Sequence, residues 1–255
     1  MAISRRSLLR RSAGVAGALV FADVLGLDRV FDVTATQCSP TYRSQFDGSY
    51  CCCANCAEAS AAMLRAMQSC GAYAPSSASM RIWYNRQRYG TDCGPASMSC
   101  GCRTGSCSGQ TLCPGGTELR NLYKALIHPY DGGPKYATEL RDVYDGGCDL
   151  GAISIATLQL RLTPNTYDWS AVVVGQYSAD YYKCDTFSGA HAVFVLYYSS
   201  SSGYLVYDPD NANGCTQPRW WPASAMQTFA YSYANDSSVH CVLGKAVVTT
   251  PTPCS

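Results

Sequence analysis

The sequence predicts an α+β fold, with an N-terminal helical part packed on a C-terminal antiparallel sheet. Two patterns and a length carry that expectation. Up to residue 161 apolar residues recur at helical spacing, whereas from residue 171 they come in β-branched and aromatic runs closed by Gly, Ser, Asn and Asp. Helices first and strands second is the order of an α+β chain. With 255 residues the chain can bury one sizeable core behind an N-terminal appendage.

The appendage comes first. Ser4-Arg5-Arg6-Ser7-Leu8-Leu9-Arg10 sets an arginine pair before two leucines, and a weakly apolar run from Gly14 to Ala22 follows. Such mild hydrophobicity behind paired arginines reads as a twin-arginine export signal over residues 1–35, with Val33-Thr34-Ala35 supplying the small residues for cleavage near Ala35. An anchoring amphipathic helix is the competing reading. Asp23 and Asp28 cut the apolar stretch well short of the roughly 20 residues that a membrane span needs. Export through the twin-arginine machinery would leave the chain secreted or periplasmic. Cysteine usage agrees: 16 Cys suit an oxidising compartment, because so many thiols in a reducing one would call for bound metal.

Residues 36–50 are polar and turn-rich, and read as an extended N-terminal arm. Ala54 to Gln68 has helix-forming composition with Ala59, Met63, Ala66 and Met67 on one face, and Gly71 stops it. Ser79 to Tyr89 reads as a short helix. Residues 93–116 form a Gly-, Ser- and Cys-rich loop, too poor in core residues to be ordered without staples. Glu118 to Ile127 is amphipathic, and Thr138 to Tyr144 and Ile153 to Arg161 read as shorter helices. Strands are expected at Ala171 to Tyr177, Ala190 to Tyr198, Tyr204 to Tyr207 and Val239 to Val248, with Ser199 to Gly203 turning a hairpin.

Charge excludes one class of partner. Without the first 35 residues, which hold five Arg and three Asp, 14 basic and 15 acidic groups remain, and no basic patch is visible for nucleic acid. Nineteen Tyr and four Trp against six Phe favour polar-tipped cores.

Three residues then converge. Cys56 opens the first long helix, where unpaired N–H groups and the positive end of the helix dipole favour a thiolate. His191 lies in the strand Gly189-Ala190-His191-Ala192-Val193, flanked by small residues. Asp208 ends the next strand, seventeen residues later, so a hairpin can bring it within reach of His191 and fix the imidazole. Nucleophile, base, orienter is the resulting chain order.

A helix-opening Cys followed by small residues and a Met, then Gly-Ala-His-Ala-Val, then Tyr207-Asp208-Pro209, resembles the papain-like cysteine peptidases, especially the bacterial bacteriocin-processing branch. Cys53-Ala54-Asn55-Cys56-Ala57-Glu58-Ala59-Ser60 is similar to the family's Cys-x-x-Cys-x-x-x-Ser. Gly115-Gly116-Thr117-Glu118-Leu119 and Trp220-Trp221-Pro222 extend the likeness, which covers residues 50–235 loosely. It implies a papain-like hydrolase domain over residues 51–255, with Cys56 as nucleophile and Cys53 in a disulfide. It also implies a peptide or protein substrate and no cofactor. The family's upstream oxyanion Gln has no close counterpart: Gln45 stands eleven positions before Cys56, and Tyr50 occupies the nearer slot. The Cys56 N–H supplies one donor.

Each residue has a plainer reading. In a chain so rich in cysteine, Cys56 can be a structural staple. Asp208 before Pro209 can start a turn, with Asp210 and Asn211 as alternative orienters. His128 reads as a helix C-cap and His240 as a packed core residue. Cys93, Cys100, Cys102, Cys107 and Cys113 lack paired C-x2-C knuckles, so a disulfide-knotted loop is favoured over zinc. Trp220 and Trp221 either shield the His191–Asp208 bond or belong to the core. Function therefore divides between a thiol hydrolase acting on peptides, cell-wall peptides included, and a secreted binding module or inactive homologue with Cys56 oxidised.

Overall fold

The computed structural model describes residues 40–45, 55–92, 117–136, 138–142, 155–164, 169–177, 189–210, 216–231 and 245–249, all within the compact unit Cys38–Ser255. The export signal, Tyr50, Cys53, the Cys-rich loop, Asn211 and His240 lie outside the described residues.

Three helices lead: α1 (Cys56–Gln68), α2 (Ser77–Tyr89) and α3 (Leu119–Ile127). Helix α2 starts two residues before the expected Ser79, because Ser76 caps it by accepting the Ser79 N–H on its Oγ at 3.1 Å. Then come β1 (Thr138–Asp142), α4 (Ile155–Leu162), β2 (Ser170–Tyr177), β3 (Gly189–Ser199), β4 (Gly203–Tyr207), β5 (Arg219–Trp221), α5 (Ala223–Tyr231) and β6 (Lys245–Thr249). All pairings are antiparallel, in the spatial order β1-β6-β2-β3-β4-β5. The run β2-β3-β4-β5 is a four-stranded antiparallel sheet in sequence order, and α1 lies against its β2 and β3. The fold is thus α+β, with N-terminal helices packed on a C-terminal antiparallel sheet.

Period-2 alternation sorts the strand residues onto two faces. Val172, Val174, Ala192, Phe194 and Leu196 pack with Met63, Leu64, Met80, Trp83, Leu122 and Leu126 of α1 to α3. Ala171, Val173, Val193, Val195 and Val206 pack with Leu158, Leu162, Met226 and Phe229 of α4 and α5. Covering both faces explains why β2 and β3 read as near-continuous apolar runs. Each fully buried Leu, Val or Phe here is worth about 1.5–3 kcal/mol.

Small residues set the spacing. Ala57, Ala59, Ala61, Ala62 and Ala66 of α1 are buried, so the helix backbone can lie close to the sheet. On the other face, a Cβ on Gly175 would stand 2.1 Å from the Phe229 carbonyl oxygen, so α5 reaches β2 only because that position is glycine. Gly203, with φ +92°, turns the β3–β4 hairpin.

One expectation is corrected. The segment read as helical from Thr138 to Tyr144 is a strand over Thr138–Asp142, because it pairs along its whole length with β6, Leu140 opposite Val247. A partner more than a hundred residues away decides its conformation, not its own propensity. Strand β5 and helix α5 add to the elements expected from the sequence.

Candidate active site

The start of α1 is positioned from its interior. Ser60, one turn after Cys56, donates its buried Oγ–H to the carbonyl oxygen of Ala192 at 3.2 Å, fixing helix and strand one residue from His191. In β3, His191 lies opposite Gly175 of β2. The hairpin register sets Phe194 against Tyr207, so Asp208 leaves β4 on the side of His191.

These registers bring the three sequence-predicted residues together. His191 Nε2 and Asp208 Oδ1 are 2.8 Å apart, with 2% and 0% of the side chains exposed. Cys56 is a free, half-buried thiol that hydrogen-bonds the His191 side chain. With Nε2 committed to Asp208, Nδ1 is the ring atom left for the sulfur. Burial alone would depress the imidazole's pKa. The Asp208 carboxylate, the charge on Cys56 and the hydrogen bonds to both outweigh it and push His191 up to about 10. An imidazolium in contact with sulfur is the partner that a thiolate nucleophile needs.

Asp208 is held on every side. Its Oδ1 also accepts the Asp210 N–H at 2.9 Å, its own N–H donates to Gln217 Oε1 at 3.0 Å, and Arg219 Nη2 stands 3.7 Å from Oδ2. Asp210 thus contributes its backbone here, while Asp208 contacts the imidazole. The Tyr42 hydroxyl donates to the Asp208 carbonyl oxygen at 3.0 Å, and the Gln45 N–H to that of Pro209 at 2.9 Å. Arg43 Nε and Nη2 donate to the Pro75 and Ala74 carbonyl oxygens, each at 3.1 Å. The arm segment 42–45 therefore straps the turn carrying Asp208 to the start of α2. That strap brings the buried Gln45 within hydrogen-bond reach of the backbone next to Asp208, although it is eleven positions from Cys56 in sequence.

Beneath Cys56 lies a second polar cluster. Glu58 and Arg81 form a buried ion pair at 2.9 Å. Burial raises the Glu58 pKa, opposed by Arg81, by the Thr117 hydroxyl and by the residue's own N–H. Nothing in the spacing of the sequence sets Arg81 or Arg219 near the chemistry. The one available signal was an acidic residue inside an alanine-rich helical turn.

The remaining residues are simply placed. His128 stands at the C-cap of α3, its N–H donating to the Lys124 carbonyl oxygen. Trp221 is in the core, edge-on to Phe229 at 5.4 Å, and Trp220 packs edge-on against Tyr197. From β5, Arg219 reaches Asp208. Cys70 is disulfide-bonded, whereas Cys56 is free. Among the described residues no group of three His, Cys, Asp or Glu could hold a metal ion. None of their helices is long and apolar enough to cross a membrane. No protein-family model matches the chain, and no curated protein is found to be similar to it.

Proposed function

We propose that the chain is an exported thiol hydrolase of the papain-like kind that cleaves peptide or other amide bonds. One observation carries the reading: a reduced Cys56 at a helix start hydrogen-bonds a buried His191, which Asp208 holds by Nε2. The papain-like assignment itself rests on the motifs around these three residues.

The sulfur of Cys56 attacks the carbonyl carbon, with its proton held on His191, and the carbonyl electron pair moves to oxygen. Collapse of the tetrahedral adduct expels the amine, which takes the proton from the imidazolium. A thioester on Cys56 remains. His191 then draws a proton from water, the resulting hydroxide attacks the thioester, and carboxylic acid and thiol are released. Asp208 orients the ring and stabilises its charge throughout. The paired arginines and the weakly apolar run behind them make the secretory route, through twin-arginine export, part of the same proposal. Peptides, including those of cell walls, are the substrate class.

Incubating folded, unreduced protein with p-nitrophenyl acetate tests the reading without knowledge of the natural substrate. A burst of nitrophenolate with an acetyl group on Cys56, absent in His191→Ala, is expected. No acylation at Cys56 overturns the hydrolase and leaves the binding-module reading.

A further inference from the structure

Asn55 stands one residue before Cys56, in the capping position, and Asn is among the best capping residues because its side-chain oxygen takes the N–H of the second or third helical residue. In this helix it makes no such bond, and its backbone is at φ −101°, ψ 10° instead of the extended region that capping uses. Its Oδ1 accepts from Arg81 Nε at 3.0 Å. Arg81 is anchored in turn: its Nη2 lies 2.9 Å from Glu58 Oε2 and 3.3 Å from Thr117 Oγ1, and its guanidinium stands over the Tyr84 ring at 5.2 Å. The Thr117 hydroxyl donates to Glu58 Oε1 at 2.7 Å, closing the circuit.

Stability alone does not account for this cluster. Asn55, Glu58 and Arg81 are at most 1% exposed, and apolar side chains usually hold a buried position at least as well as an ion pair does. What the cluster achieves is local. Among the described residues no hydrogen bond takes the N–H groups of Cys56 and Ala57. The Glu58 carboxylate already takes its own N–H, so a capping Asn55 would take that of Ala57.

We propose that Arg81 is a positioning residue that draws the Asn55 side chain away from the helix end. The N–H of Ala57, the second helical residue, then stays open beside that of Cys56 to the oxyanion formed when the Cys56 sulfur attacks a carbonyl. The inference rests on the hydrolase reading and supplies it with two backbone donors on adjacent residues. Glu58 and Thr117 hold Arg81 in place.

The test uses the full chain, two probes and three variants. Arg81→Lys keeps a cation for Glu58 and loses the fork to Asn55. Acylation of Cys56 by p-nitrophenyl acetate passes through an oxyanion, whereas alkylation by iodoacetamide displaces iodide and forms none. Expected for Arg81→Lys is a fall in acylation on the order of 100-fold, the loss of one oxyanion donor, with alkylation unchanged. Asn55→Ala alone should keep the wild-type rate, and adding it to Arg81→Lys should restore acylation, since no side chain is left to cap. A double variant as slow as Arg81→Lys, or a fall shared equally by alkylation, overturns the proposal. If the wild type does not acylate at all, the hydrolase reading fails by itself. Amide exchange at Ala57 then still decides the Asn55 claim: it should slow in Arg81→Lys and recover in the double variant, and no slowing overturns it.

Discussion

The two ends of α1 carry buried charge to opposite purposes. At the C-terminal end Arg65 is bonded through all three nitrogens: Nε and Nη2 each reach Asp131 at 2.9 Å, Nη1 donates to the Pro134 carbonyl oxygen at 2.8 Å, and Tyr73 and Tyr136 stack on the guanidinium at 5.3 and 4.9 Å. Just beyond, Ser69 bonds back to the helix and Cys70 is closed in a disulfide. At the N-terminal end the sulfur is free, and a strong capping residue does not cap. One end commits its charge to the fold; the other keeps a free thiol and open backbone N–H groups. Groups left unfilled on a rigid scaffold are where chemistry is expected.

Substitutions should separate the ends. The largest effect on turnover belongs to Cys56→Ala, which should cut acyl transfer on the order of 10⁴-fold while stability stays within about 0.5 kcal/mol. Arg65→Met should do the reverse. Denaturant unfolding should show a loss of about 3 kcal/mol from the broken pair with Asp131, with Cys56 alkylation unchanged in the folded protein.

A third prediction concerns pH. His191 holds its proton up to about 10 in the folded chain, against about 6.5 in the unfolded one. Its contribution to stability is therefore full below pH 6.5, declines as pH rises and is gone above about 10. Asp208→Asn removes the main opposition to burial, so an NMR titration of the His191 ring should move down by at least about one unit. Ser60→Ala should have the smallest effect, about 1 kcal/mol, or about 2–4 °C in Tm, because it removes one buried hydrogen bond between α1 and Ala192.

The same contrast marks what could be read from sequence. Helix α1 and strands β2, β3 and β4 follow from period and composition, and the meeting of Cys56, His191 and Asp208 follows from a helix start and one hairpin. Contacts that depend on distant pairing did not show. Thr138–Asp142 looks helical until β6 pairs with it, and β5 is three residues long. Helix α5 did carry a signal, with Met226, Phe229 and Ala230 buried at spacings of three and four behind Pro222. Arg81 and Arg219 were invisible as neighbours of the site, because an ion pair with a carboxylate on another element leaves no spacing to read.

Everything proposed for this chain requires Cys56 to be reduced and activated by His191. Iodoacetamide treatment of the folded, unreduced protein, followed by peptide mapping, tests it most directly. Rapid modification of Cys56, slowed by at least about tenfold in His191→Ala, is expected. Recovery of Cys56 in a disulfide, or equal labelling with and without His191, would overturn the hydrolase.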